Sequence, residues 1–141
     1  MRKYNLKAYN IYKEDLGNKI NLVDFEKPYD ELTKDELIVR FLPLVENIAR
    51  KFSTASQASG VMDILDLIQE GSIGLMKAID RIDWNVFNQS KYKENTMKAF
   101  LSKRIKGAIR RAILIRTTAD IAEIKTMVAR EGLLIIVAQI V

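Results

Sequence analysis

Between Met62 and Asp83 the apolar residues recur at the three- and four-residue steps of a helix. Ile64, Leu67, Ile68, Gly71, Leu75, Ala78, Ile79 and Ile82 fall on one face. Asp63 is placed to cap the start, and Asp66 lies in the first turn, where a carboxylate offsets the helix dipole. The opposite face is unusual. There Asp66, Gln69, Glu70, Lys77 and Asp80 surround Ile73, with Met76 and Leu65 at one margin. An apolar residue ringed by acids and an amide suits a partner-binding surface with an apolar centre and a polar rim. A solvated face with one stray isoleucine gives the same pattern.

Two further helices follow from the same periodicity. Thr33-Lys34-Asp35-Glu36 is a capping box, after which Leu37, Phe41, Leu44, Val45 and Ile48 repeat through to about Phe52. Pro43 removes one hydrogen bond and predicts a bend near residue 39 or 40, or else two helices split at the proline. Ser53 to Gly60, rich in Ser, Ala and Gly, predicts a connecting loop. Trp84 to Tyr92 also reads as a loop, with Trp84 as a core residue. A third long helix is predicted from about Asn95 to Arg116. Its buried stripe is Met97, Leu101, Ile105, Ala108, Ala112 and Ile115, with Ile109 beside it.

The ends of the chain differ in texture. Residues Met1 to Leu32 scatter Tyr4, Tyr9, Tyr12, Phe25 and Tyr29 among polar residues and predict an extended arm that packs partly on the domain, with partial disorder as the alternative and at most a short helix around Leu6 to Leu16. After Thr117, Thr118 or Asp120 as a cap, a short helix is expected through about Arg130, ended by Gly132. Leu133, Leu134, Ile135, Ile136 and Val137 open an uncharged, β-branched terminal run. Such a run either closes the domain as a strand or helix, or serves as a docking tail for a partner. The expected organisation is all-α: an N-terminal arm (1–32), a compact three-helix domain (33–116), and a C-terminal helix with an apolar tail (117–141).

Composition narrows the chemistry. The 141 residues suffice for one modest core, and they include neither cysteine nor histidine. Disulfides, the usual zinc sites, thiol nucleophiles and imidazole acid–base chemistry are thereby excluded. No apolar run is long enough to span a bilayer and no signal peptide is seen, so a cytoplasmic location, bacterial or in an infected host cell, is expected. Net charge is +5, which favours a polyanionic partner. The positive charge concentrates on the third helix, where no acid occurs between Glu94 and Asp120. Lys103, Lys106 and Arg110, flanked by Arg104 and Arg111, share a stripe with Phe100 and Gly107. Cations attract phosphates with release of counterions, and an aromatic ring can stack an unpaired base. A different class, a magnesium-dependent nuclease, would use Asp63, Asp66, Glu70 and Asp80, but Ile73 in their midst argues against a hydrated ion site.

Asp66-Leu67-Ile68-Gln69-Glu70-Gly71 followed by Ile73-Gly74-Leu75-Met76-Lys77-Ala78 resembles the core-binding helix of bacterial sigma factors. Leu42-Pro43-Leu44-Val45 with Ile48-Ala49-Arg50-Lys51-Phe52 is similar to the helix that precedes it in that family. Phe100 to Ile113 resembles the promoter-melting and minus-ten-recognition helix, its Arg-Ile-Lys-Gly-Ala core closest to the alternative, flagellar and phage types. Phe100 stands where the family commonly has a tyrosine that helps hold an extruded base. Lys103 and Arg104 replace the pair of tryptophans of the housekeeping class, and Gly107 and Arg110 occupy its base-reading positions. The role of the surface therefore carries over, not the sequence that it reads.

The resemblance covers roughly Leu37 to Ile115 and implies a non-enzymatic, cofactor-free initiation factor. Its partners would be the clamp helices of the RNA polymerase core, gripped by Asp66, Gln69, Glu70, Ile73 and Met76, and promoter DNA. The DNA contacts would be Lys98, Phe100, Lys103, Arg104, Lys106, Arg110 and Arg111. An adaptor that occupies polymerase without opening promoters is the alternative. The brevity of the chain resembles late sigma factors of tailed phages, in which a short apolar C-terminal segment docks on the replication sliding clamp.

Overall fold

The computed structural model describes residues 6–54 and 62–131, and all the regular structure among them is helical. Helix α1 spans Leu6–Ile20 and a 3-10 turn covers Tyr29–Glu31. Helices α2 (Lys34–Thr54), α3 (Ile64–Ile79), α4 (Trp84–Asn88) and α5 (Lys93–Glu131) follow. Helix α3 packs against both α2 and α5, and the core lies where these three meet. The apolar tail from Leu133 to Val137 and most of the Ser53–Gly60 connection lie outside the described residues.

Each of the three long helices forms for the reasons that its sequence supplies. The Thr33 hydroxyl accepts from the Glu36 amide at 3.2 Å while the Glu36 carboxylate accepts from the Thr33 amide at 3.5 Å, which closes the capping box of α2. Leu37, Phe41, Val45, Ile48 and Ala49 are its buried face. Pro43 sits inside one unbroken helix, so α2 is not split there. Helix α3 opens on a second box: Asp63 accepts from the Asp66 amide at 2.9 Å, and Asp66 accepts from the Asp63 amide at 3.3 Å. Leu67, Leu75, Leu101 and Ile105 are fully buried, and burial of such side chains contributes about 1.5–3 kcal/mol each.

Four expectations are corrected. The N-terminal arm is not extended, because Tyr9, Tyr12 and Leu16 line one face of α1 and pack on the domain. Trp84 to Tyr92 is not all loop: Asp83 caps α4 by accepting from the amides of Asn85 and Val86, and Phe87 enters the core edge-on to Trp84. The buried row of α5 is Met97, Leu101, Ile105, Ile109 and Ile113, whereas Ile115 is 70% exposed. A four-residue step drifts around the helix and carries the contact line onto Ile113 rather than Ile115. Finally, no separate helix begins at Thr117–Asp120. Helix α5 continues through to Glu131, 39 residues or roughly 60 Å at 1.5 Å per residue.

The docking of α1 depends on a buried carboxylate. Glu46, 3% exposed, accepts hydrogen bonds from Tyr9 and from Lys13 at 2.9 Å, and Arg50 lies 2.7 Å from the same oxygen. Burial by itself raises the pKa of Glu46. The hydrogen bonds from Tyr9 and Lys13, with the charges of Lys13 and Arg50, outweigh it and hold the carboxyl below its ordinary value. Burial, and then the negative charge of Glu46, push the Tyr12 phenol up to about 12.

Candidate functional site

The α3–α5 crossing builds the site. An added Cβ at Gly71 would meet Val45 Cγ1 at 2.8 Å and Ile109 Cδ1 at 3.2 Å. At Gly74 it would lie 2.6 Å from the Ala108 Cβ and 3.3 Å from the Arg104 carbonyl. Only hydrogen fits at these two positions, so the backbones approach closely and the helices are locked in one relative placement. That placement turns Glu70, Ile73 and Lys77 of α3 and the basic side of α5 onto a single groove of about 1100 Å³.

The residues expected to meet a partner on α3 divide into two kinds. Gln69, Ile73 and Met76 are exposed, the latter two at 44% and 40%, and Glu70 is half-buried beside them. Asp66 is half-buried and spends both its amide and its carboxylate on the capping box, so its first role is to start α3. The surface thus has the apolar centre and polar rim of a docking patch, with Ile73 at its middle. The acids needed for a metal-dependent reading are otherwise engaged: Asp63 caps the helix and Asp80 pairs with Lys34 at 2.7 Å. Among the described residues no group of three or more acidic side chains could hold a metal ion.

On α5, Lys103, Arg104, Gly107, Arg110 and Arg111 line the groove with Phe100. Phe100 is half-buried, packed partly on the core, and the Arg104 guanidinium lies 4.7 Å above its ring. Lys106 is half-buried on the same helix. Lys98 is a turn away from this cluster and pairs with Glu94 at 3.1 Å. Three groove cations lay outside the sequence expectation for DNA contacts: Lys77 and Arg81 from α3 and its C-terminal turn, and Arg116. The four-residue spacing of Lys77 and Arg81 was the available signal. Phe52 of α2, 5.7 Å from the Arg110 guanidinium, was also missed.

Charge in the groove is one-sided. Seven cations line it against the single carboxylate of Glu70, and none of the seven forms an ion pair among the described residues. A concave surface with unneutralised positive walls attracts a polyanion and raises its local concentration. Gly107 adds a further sign. A Cβ there would meet only the Arg111 Nη1 at 3.3 Å, the end of a flexible side chain. Nothing in the fold requires glycine at this position, and glycine inside a helix costs about 0.5–1 kcal/mol relative to alanine.

Comparison with known proteins agrees with this layout. Sigma-70 region 2 matches residues 37–117, more than half of the chain and the stretch that forms α2, α3, α4 and the first part of α5. RNA polymerase sigma factor RpoD of Neisseria gonorrhoeae is 42% identical over 64 residues, which is 45% of this chain. The match spans 9% of that relative's own length. No solved structure matches the chain significantly. Among the described residues no helix is long and apolar enough to cross a membrane. The chain belongs to the sigma-70 region 2 family.

Proposed function

We propose that this chain is a sigma factor-like transcription initiation factor. The outer face of α3, with Gln69, Glu70, Ile73 and Met76 and with Asp66 at its start, grips the clamp helices of core RNA polymerase. The basic side of α5, with Phe100, Lys103, Arg104, Lys106, Arg110 and Arg111 and with Lys98 at its margin, takes promoter DNA and helps open the minus-ten region. The chain performs no chemistry itself; polymerase does, and this protein positions it and captures a strand. The observation that carries the reading is the groove in which Glu70 and Ile73 share walls with Phe100 and the α5 cations. A surface that holds polymerase on one rim and phosphates on the other couples the enzyme to its start site.

Gly107 provides the test. Gly107→Ala should stabilise the fold by about 0.5–1 kcal/mol, through the lower chain entropy of alanine in a helix. The same methyl stands on the groove wall, so DNA binding of the polymerase complex should weaken. A stability gain with unchanged DNA affinity, measured by thermal melting and filter binding side by side, would place the DNA elsewhere.

A further inference from the structure

The C-terminal half of α5 carries a row of apolar residues that the fold leaves in solvent. Leu114, Ile121 and Ile124 are 66%, 49% and 50% exposed, and the half-buried Thr117 and Val128 complete the row. Their spacing alternates three and four residues, the seam of a two-helix coiled coil. Thr117 fits such a seam because its hydroxyl already donates to the Ile113 carbonyl at 2.8 Å, which leaves its methyl group to pack. The four-residue line of buried Met97, Leu101, Ile105, Ile109 and Ile113 continues through half-buried Thr117 to exposed Ile121, so the row begins where burial against the domain gives out.

We propose that this segment pairs with the same segment of a second copy of the chain, parallel and in register. The flanking charges select that occupant. With Leu114, Ile121 and Val128 as the first core position of each heptad and Thr117 and Ile124 as the fourth, Asp120 and Lys125 fall on the two flanks. In a parallel pair each Asp120 meets Lys125 of the other copy, five residues further on, and two-fold symmetry makes the contact twice. Antiparallel pairing would set Asp120 against Met127 and Lys125 against Thr118, with no charge satisfied.

Arg110 and Lys103 continue the row towards the N-terminus, so the two copies part just before Leu114 and their basic faces diverge. The pairing therefore adds an association function to the half of α5 that mostly follows the sigma-70 region 2 match, and it stands independently of the proposed role in transcription.

Sedimentation of the full chain across the micromolar range tests it. A mass of twice 16.2 kDa at the upper concentrations is expected. Ile124→Lys should sediment as a monomer with an unchanged circular dichroism spectrum in its folded body. Asp120→Lys should weaken association at least severalfold, and Asp120→Lys combined with Lys125→Asp should restore it. A monomer at every concentration overturns the proposal, with the row then covered by something else. So does a dimer that survives Ile124→Lys, and a charge swap that fails to restore association overturns the parallel register.

Discussion

Gln69→Ala combined with Glu70→Lys should cost this protein its affinity for core polymerase while leaving its fold intact. Gln69 is exposed and Glu70 half-buried, and neither side chain makes a hydrogen bond or ion pair among the described residues. Exposed substitutions of this kind move stability by about 0.5 kcal/mol or less, so the melting curve should overlay that of the unaltered protein. Binding should respond very differently. Loss of an interface hot spot costs about 2 kcal/mol or more, a loss of about thirtyfold or greater, and reversing the charge of Glu70 beside the apolar centre Ile73 adds an electrostatic mismatch. The new lysine also reverses the one negative charge on the groove wall, so affinity for DNA alone should hold or rise. Loss of polymerase binding with retained DNA binding separates the two rims of the groove. Unchanged polymerase affinity in a folded variant would remove α3 from the interface.

The second large effect concerns the helix crossing itself. Gly74→Ala places a Cβ 2.6 Å from the Cβ of Ala108, and neither atom can rotate away because each is fixed to its backbone. The helices must separate, at the interface that carries Leu75, Leu101 and Ile105. Overpacking of this kind costs about 1–3 kcal/mol, offset by about 1 kcal/mol of improved helix propensity. A net loss of about 1 kcal/mol, and at most about 2 kcal/mol, should lower the melting temperature by on the order of 3–8 °C. Adding Ala108→Gly moves the methyl from one helix to the other and cancels the propensity terms, so the double variant should return close to the original stability. A single variant as stable as the parent would mean that the helices are not in this close contact.

How much of this was legible beforehand depends on where the information resides. The inward faces of α2 and α3 could be read because burial against one partner enforces a 3.6-residue period over several turns, and both capping boxes are local. Helix α1 was less legible. Its stripe of Tyr9, Tyr12 and Leu16 is short, and half of its anchorage is Glu46, a carboxylate 37 residues from Tyr9 whose burial no apolar pattern announces. The length of α5 was misjudged because Thr117 and Thr118 look like caps. Both instead donate to the carbonyls four residues back, at 2.8 Å each, which lets a helix continue.

The site divides in the same way. The cations of α5 stood out because no acid interrupts them, and Ile73 because it lies among polar neighbours. Lys77 and Arg81 join the groove only once Gly71 and Gly74 set the angle between two helices, which is a fact of tertiary packing. Ile115 shows the converse: a residue assigned to the core by spacing faces solvent because the buried line has drifted round the helix onto Ile113.

Permanganate reactivity of promoter thymines bears most directly on the central claim, that this chain brings polymerase to DNA and helps open it. Core polymerase reconstituted with the protein should render thymines near the start site reactive, and core polymerase alone should not. Phe100→Ala should reduce the signal, since base–aromatic stacking contributes about 1–3 kcal/mol per base, and a promoter already mismatched in that region should recover much of it. Equal reactivity with and without the protein, in a complex that demonstrably contains it, would contradict the claim and leave an adaptor that occupies polymerase without opening promoters.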